Sequence, residues 1–540
     1  MSQGDRHIRL VAVIGAGISG VCATAHLLKQ GLDVKLFERS SIAGGVWHLD
    51  TRPAHDPSYP NEKPSLGDYV RSPSGQYSYE TPPRTPERVQ EDKVTQNTKV
   101  SARAWADIEI SHAPPGPCYG GLKNNVSLPL MKTSLGDWPE TLGDFVSQSH
   151  LEEYIQAIAE STRANDVAEY HTRVEEVVKV PTESKWRVRT TTLRRLKLLD
   201  ELSLKIVEQQ RIFDAVVVAS GHYNMPRIPD IPGLKVWKAR FPDRVWHSKR
   251  YRTPAIFKGQ RVLLIGAGVS STDIAKESEG IAGAMYQSSR GGDLDLPTMM
   301  LPPGTTRIGG VQSFELDDAT SYHETSEGHL PGRVRLNNGS YLCNIDQVVL
   351  CTGYITSYPF LLQYHADNTE MEEVDENTLV TREGSMLHNC HKDIFHIPDP
   401  TLAFVGAPYH IATFSLFDFQ AQVVARVFAG RAQLPSKELM REEYRAKIAA
   451  RGLGRDFHSL RGEGEEPAYV SDLVDWVNSS LDPSYVAAMA GHTDTYHAAY
   501  KIQRERLRAL GRRLEKGGGE TFNHVTVECL PPGDAEISIL

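Results

Sequence analysis

Two short runs bring glycines to spacings that suit chemistry at phosphate: Gly15-Ala16-Gly17-Ile18-Ser19-Gly20 near the start, and Gly266-Ala267-Gly268-Val269-Ser270-Ser271 near the middle. In such a run the first glycine makes a tight turn. The second lets the backbone approach a pyrophosphate, and the third lets a helix pack closely on the preceding strand. The free N–H groups and positive dipole end of the following helix then attract the phosphates. Two such runs imply two dinucleotides on one chain.

The elements around each run fit this reading. Leu10 to Ile14 is a continuous apolar run of the kind a buried parallel strand needs, and Val21 to Gln30 reads as the helix after the turn. A second strand, Val34 to Phe37, ends at Glu38, where a carboxylate can accept hydrogen bonds from ribose hydroxyls. Around the second run, Arg261 to Ile265 forms the strand, Thr272 to Glu277 opens the helix, and a further strand lies near Ala284 to Gln287. Ser288, Ser289 and Arg290 follow in place of an acid, and a guanidinium with hydroxyls suits a 2′-phosphate that a carboxylate would repel. The expected cofactors are therefore FAD at the first site and NADPH at the second. The second site comprises Gly266, Gly268, Ser270, Ser271, Asp273, Ser289 and Arg290.

The chain has 540 residues, is 40% hydrophobic and 24% charged, and carries a net charge of −9. No apolar run is long enough to span a bilayer, and the strand starting at Leu10 leaves no room for a signal peptide, so a cytoplasmic enzyme is expected. The acidic balance, without a long basic cluster, argues against nucleic acid as a partner. Cys22, Cys118, Cys343, Cys351, Cys390 and Cys529 include no close pair, so no metal site, disulfide framework or redox dithiol is indicated. Electrons on a flavin must leave by another route, and molecular oxygen is the obvious one.

The expected fold class is α/β, with two Rossmann-like dinucleotide-binding domains, the NADPH domain inserted in the FAD domain. Residues 1–243 give the first part of the FAD domain, with an irregular stretch at 50–117 that reads as an insertion or surface excursion. Residues 244–349 give the NADPH domain, 350–435 the closing part of the FAD domain, and 436–540 a charged helical extension that packs on the surface. Within this layout Ser149 to Asn165 reads as an amphipathic helix. Val174 to Val180, Trp186 to Thr190 and Lys205 to Glu208 read as strands, as does Thr401 to Gly406, and Leu416 to Phe428 reads as a closing helix. The strand-then-glycine pattern of Phe213 to Gly221 recurs from Gln347 to Tyr354, so the two exits between domains are expected side by side.

As a set, these motifs resemble the flavin-containing monooxygenases, the class B flavoprotein oxygenases, over the chain up to about Ser436. Phe37-Glu38-Arg39 and Gly44-Gly45-Val46-Trp47 resemble that family's FAD segment, and Phe241 to Tyr251 resembles its linker signature, with Asp243 where the family has glycine. Leu350-Cys351-Thr352-Gly353-Tyr354 resembles the Phe-Ala-Thr-Gly-Tyr segment typical of flavin-dependent N-hydroxylating and related members. Tyr119 to Met131 is similar to its stretch containing Thr-Asn, with Asn124 in place of threonine, Asn125 matching the asparagine and Ser127 in place of proline.

The resemblance implies FAD contacts from Gly15, Ala16, Gly17, Ile18, Ser19, Gly20, Glu38, Arg39, Gly45, Val46, Trp47, Asn125, Val126, Thr352, Gly353 and Gln420, with Asn125 as the catalytic amide. It also implies that NADPH and O2 generate a C4a-hydroperoxyflavin, which oxygenates a soft nucleophile, an amine or imine nitrogen or a sulfur, of a small-molecule substrate in a biosynthetic pathway. A Baeyer–Villiger monooxygenase acting on a ketone, whose linker carries tryptophan where Tyr251 stands, is the principal alternative. An uncoupled NADPH oxidase and a non-enzymatic nucleotide sensor are the others.

Overall fold

The structure, a computed structural model, describes residues 8–61, 63–68, 93–99, 102–198, 201–292, 294–316, 328–480 and 487–516. Strand Leu10–Ile14 lies inside a seven-stranded sheet ordered Cys390–His391, Phe395–His396, Leu402–Phe404, Ala215–Val218, Leu10–Ile14, Asp33–Phe37, Ala168–Glu169. The last five of these run parallel. Both faces are covered, which explains the unbroken apolar run. Val11 and Val13 pack against helices Ile18–Lys29, Gln148–Ser161 and Thr413–Phe428, while Ala12 and Ile14 face Val177, Trp186 and Phe213.

The second sheet has five parallel strands, ordered Val245–His247, Gln347–Leu350, Arg261–Ile265, Ala284–Ser288, Thr305–Ile308. A three-stranded antiparallel sheet, Val311–Glu315, Arg333–Leu336 and Tyr341–Cys343, attaches to it. The chain passes between the two large sheets twice. The passages, Met225–Pro226 and Tyr354–Ile355, pair antiparallel, so the exits do lie side by side.

Three expectations need correction. First, the 50–117 stretch is no surface excursion where it is described. Ala54, Tyr59, Trp105 and Ile110 are buried, and helix Ala102–His112 packs Trp105 on Leu193, Leu204 and Ile206. Residues 69–92 of that stretch lie outside the described residues. The three short strands are longer than their apolar cores, because Lys185–Leu198 and Glu201–Phe213 form one hairpin in register from Trp186↔Phe213 to Leu198↔Glu201. The hairpin's arginines and threonines disguise it as loop.

Second, the C-terminal extension is not confined to the surface. Met440, Tyr444, Phe457, Val470, Leu473, Val477 and Tyr496 are buried, on helices Lys437–Arg451, Glu465–Ser479 and Asp494–Lys516 and the turn before the second. Residues 517–540 lie outside the described residues. Third, Cys343 is disulfide-bonded although its spacing indicated no bridge, whereas Cys22, Cys118, Cys351 and Cys390 are buried free thiols.

The contact that holds strand, turn and helix together is at Gly20, where a Cβ would lie 1.7 Å from the carbonyl oxygen of Gly15. Gly20→Ala is expected to cost about 1–3 kcal/mol or more by forcing the helix off the sheet. Thermal unfolding should show a lower midpoint, and purified protein should carry less flavin absorbance than wild type.

Candidate active site

Both glycine turns open onto one cavity of about 1320 Å³ between the two sheets. Gly15 adopts φ +100°, a conformation open to glycine, and a Cβ there would meet the Ala219 carbonyl oxygen at 2.8 Å. Gly17 and Gly45 approach each other so closely that a Cβ on Gly45 would lie 2.7 Å from the Gly17 Cα. A Cβ on Gly268 would meet nothing within 4 Å, so that glycine faces open cavity. Gly17 and Gly268 are the N-caps of helices Ile18–Lys29 and Val269–Glu277, and neither cap receives a side-chain hydrogen bond. The first-turn N–H groups are thus left for phosphate. Glu38 sits beside the first cradle, its carboxylate accepting from the N–H of Ala16 at 2.7 Å and of Ser40 at 2.8 Å. The residues present fit two dinucleotides facing each other across the cleft.

Of the FAD residues expected, Gly15, Gly17, Ile18, Ser19, Glu38, Arg39, Gly45, Val46, Trp47, Asn125, Val126, Thr352 and Gly353 line this cavity. Of the NADPH residues, Gly266, Gly268, Ser270, Asp273 and Arg290 line it. The others do not line it. Ala16 is fully buried, with its N–H given to Glu38 and its carbonyl to Gly44. Gly20 packs the helix directly on Gly15. Gln420 is fully buried, accepting from the Gly406 N–H at 2.9 Å and donating to the Tyr469 hydroxyl at 2.8 Å, so it shapes the Gly406 turn and does not reach the cavity. Ser271 turns inward, donating to the Gly268 carbonyl at 3.0 Å and accepting from Gln287 at 2.8 Å. Ser289 is buried and bonded to Asp295. Adjacent Ser288 lines the cavity in its place.

The loop that presents Asn125 is fixed by its neighbour. Asn124 is buried and donates to the carbonyls of Val126 at 2.7 Å and Asp144 at 2.8 Å, while its own carbonyl accepts from Val146 at 2.6 Å. Asn125 is left exposed to the cavity.

Several residues that build the site went unnoticed in the sequence. Asp68, from the stretch that read as an excursion, receives both guanidinium arms of Arg39 at 2.9 Å and the Lys249 ammonium at 3.1 Å. Burial pushes the Asp68 carboxyl up, but Arg39 and Lys249 outweigh it and hold it well below the usual carboxylate range. Arg252 donates to the carbonyls of Asp50, Arg52, Gly116, Lys249 and Tyr251, closing the cavity wall. Tyr119 donates to Asp273 at 2.8 Å, joining the Asn125 loop to the helix of the second cradle. His247 explains the histidine of the linker: its Nε2 donates to the Gly353 carbonyl at 3.1 Å and its Nδ1 accepts from Lys249. Burial lowers its pKa to about 3, so it stays neutral. Asp243 has no positive φ, so the missing glycine costs nothing there.

Comparison with known proteins agrees with this geometry. The flavin-binding monooxygenase-like family model matches residues 113–299 and 330–483, and an NAD(P)-binding Rossmann-like domain model matches residues 13–61. The chain belongs to the flavin-containing monooxygenases, and is an oxidoreductase that uses FAD and NADPH. The flavin-containing monooxygenase ustF2 of Aspergillus flavus is 40% identical over 518 residues, covering 92% of this chain and 98% of that relative. The flavin-containing monooxygenase iboF of Amanita muscaria is 30% identical, with 88% of each chain covered. Among solved structures, S-allyl-L-cysteine S-oxygenase from Allium sativum superposes with a TM-score of 0.61 at 22% identity, covering 94% of this chain and 98% of that one, which shows the shared fold. No helix among the described residues is long and apolar enough to cross a membrane.

Asp68→Asn would remove the carboxylate that Arg39 and Lys249 share, at an expected cost of about 3–5 kcal/mol. Because the folded carboxyl is depressed, the stability it supplies is complete above the unfolded value of about 4 and is lost as pH falls below it. Denaturation between pH 3 and pH 7 should therefore show a steeper acid loss in wild type than in Asp68→Asn.

Proposed function

We propose that this enzyme places one oxygen atom of O2 on a soft nucleophile, an amine or imine nitrogen or a sulfur, of a small molecule in a biosynthetic pathway. We propose also that residues 244–349 act as the NADPH-binding unit inserted between FAD-binding parts 1–243 and 350–435. The observation that carries the reading is the single cavity shared by two phosphate cradles. Burial raises Cys118 and Cys351 to about 12, so neither serves as an electron relay. Burial lowers His112 to about 3 and His222 to about 4, so these wall histidines are neutral and supply no acid at physiological pH. Oxygen transfer to a lone pair needs neither group.

When bound, FAD would supply the hydride acceptor for NADPH and the electrons for O2, with one oxygen atom going to substrate and the other leaving as water. The protein's part is to hold and shield. Gly17, Gly45 and Glu38 seat the flavin nucleotide, and Gly266, Gly268 and Arg290 seat NADPH, with the Arg290 guanidinium exposed at the cavity rim to receive the 2′-phosphate. Asn125 donates its amide N–H to the oxygen being transferred, where a carboxylate would repel accumulating negative charge. Trp47, edge-on to Phe414 at 6.2 Å, and the Arg252 carbonyl cluster keep water from that wall.

Asn125→Ala is expected to keep oxidising NADPH while product formation falls by about 10²-fold and hydrogen peroxide replaces product. Paired assays of product and peroxide check this. Arg290→Ala should weaken NADPH by about 1.5–3 kcal/mol, roughly 10–100-fold in Kd, and leave NADH binding unchanged. Equilibrium titration with both nucleotides decides. A panel of thioethers, amines and cyclic ketones tests the substrate chemistry, and turnover of the ketones alone would replace this reading with Baeyer–Villiger oxidation.

A further inference from the structure

A recess of about 140 Å³ branches from the main cavity beside the crossover Thr352-Gly353-Tyr354. Two guanidinium groups border both spaces: Arg227 from the first crossover and Arg455 from the C-terminal extension. Arg455 reaches the site because Gly452 (φ +73°) and Gly454 (φ +99°) turn the chain after helix Lys437–Arg451, and the Gly454 N–H is held by the Met386 sulfur at 3.2 Å. A Cβ built on Gly353 would lie 3.7 Å from an Arg455 guanidinium nitrogen, so this cation stands over the crossover itself.

Neither arginine has the partner its chemistry calls for. Among the described residues Arg455 forms no ion pair, since Asp456 turns to Arg461 at 3.5 Å. Among the described residues the Arg227 guanidinium donates to the Glu383 carbonyl, at 3.4 Å, and its Nε is buried with no acceptor. Burial, and then the Arg455 charge, lower Arg227 to about 10. The hydroxyl of Tyr409, on the same wall, is likewise buried without a partner. Unsatisfied buried donors and two facing cations are costly to hold. A carboxylate, with its two oxygens and negative charge, would satisfy both guanidinium forks and the phenol at once. Tyr223 and Tyr354, ring centroids 5.3 Å apart, flank the space with apolar faces for the carbon chain that follows.

We propose that Arg455 and Arg227 bind the carboxylate of the substrate, so that the oxygenated molecule is a small organic acid carrying its nitrogen or sulfur a few bonds from the acid group. This rests on the oxygenase reading above and names its substrate class. Phosphate of the nicotinamide nucleotide is the other anion that could seek these cations, but the helix that begins at Val269 and Arg290 already provide for it.

The test uses the FAD-loaded enzyme with 3-(methylthio)propanoate and its primary amide, which share a thioether and differ in charge. Calorimetric titration is expected to show the acid binding at least about 10-fold tighter than the amide. Arg455→Gln should bring the acid down to the amide's affinity without altering the amide, and Arg455→Lys should recover part of the difference. KM for NADPH should not change, and flavin content should match wild type in both variants. The proposal is overturned if wild type does not prefer the acid, or if Arg455→Gln raises KM for NADPH and leaves acid binding intact. Sulfoxide formation from the amide reports separately on the oxygenase reading, because that probe does not need the arginines. Binding of the acid without oxidation of either thioether would sink sulfur oxygenation while leaving the carboxylate site standing.

Discussion

Backbone lying directly against backbone, with no side chain between, is the constraint on which the molecule depends. At Gly20 and Gly15 the helix meets the strand at a separation that excludes even a methyl group, and at Gly17 and Gly45 two loops touch through their Cα atoms. That contact aims the first turn of helix Ile18–Lys29 into the cleft with its N–H groups uncapped. The second cradle reaches a similar end with less glycine. Ser271 is accommodated because its hydroxyl bonds the Gly268 carbonyl and Gln287, so the third position of the run can carry a small polar residue that satisfies itself.

The cleft between the cradles is held by charge and hydrogen bonds more than by apolar packing. Asp68 gathers Arg39 from beside the first cradle and Lys249 from the segment before the second, and Arg252 draws together carbonyls from residues 50–52, 116 and 249–251. Buried ion pairs of this kind are poor stabilisers compared with apolar side chains, but they are strict about geometry. Here they tie the linker to one position relative to the first cradle. The antiparallel pairing of Met225–Pro226 with Tyr354–Ile355, and the His247 bond to Gly353, do the same for the crossovers. A hydride donor and acceptor on separate sheets require such fixing, since transfer is sensitive to distance and orientation.

Legibility in the sequence followed locality. Strands Leu10–Ile14 and Arg261–Ile265 and the turns after them were readable because a buried parallel strand must be apolar and a phosphate turn must carry glycine. Gln420 and Ser289 stand in sequence neighbourhoods that match those of residues facing a nucleotide, but their side chains turn to Gly406, Tyr469 and Asp295. The stretch at 50–117 looked like loop because its role is polar. Asp56 meets Lys238 and Arg250, and Asp68 meets Arg39 and Lys249, across gaps of more than 180 residues in most of these pairs. No periodicity records a contact of that kind.

Taken alone, the chain indicated two phosphate-binding turns and a monooxygenase that uses FAD and NADPH, because glycine runs of this kind follow from residue types within a few positions of a strand end. Which side chains face the cleft was decided only by the tertiary structure. Arg455 lies about 100 residues beyond the crossover it overlooks and in a segment whose sequence reads as a charged surface, yet the turn at Gly452 and Gly454 brings it to Gly353. Packing of distant elements, not local pattern, sets the direction in which a long polar side chain points.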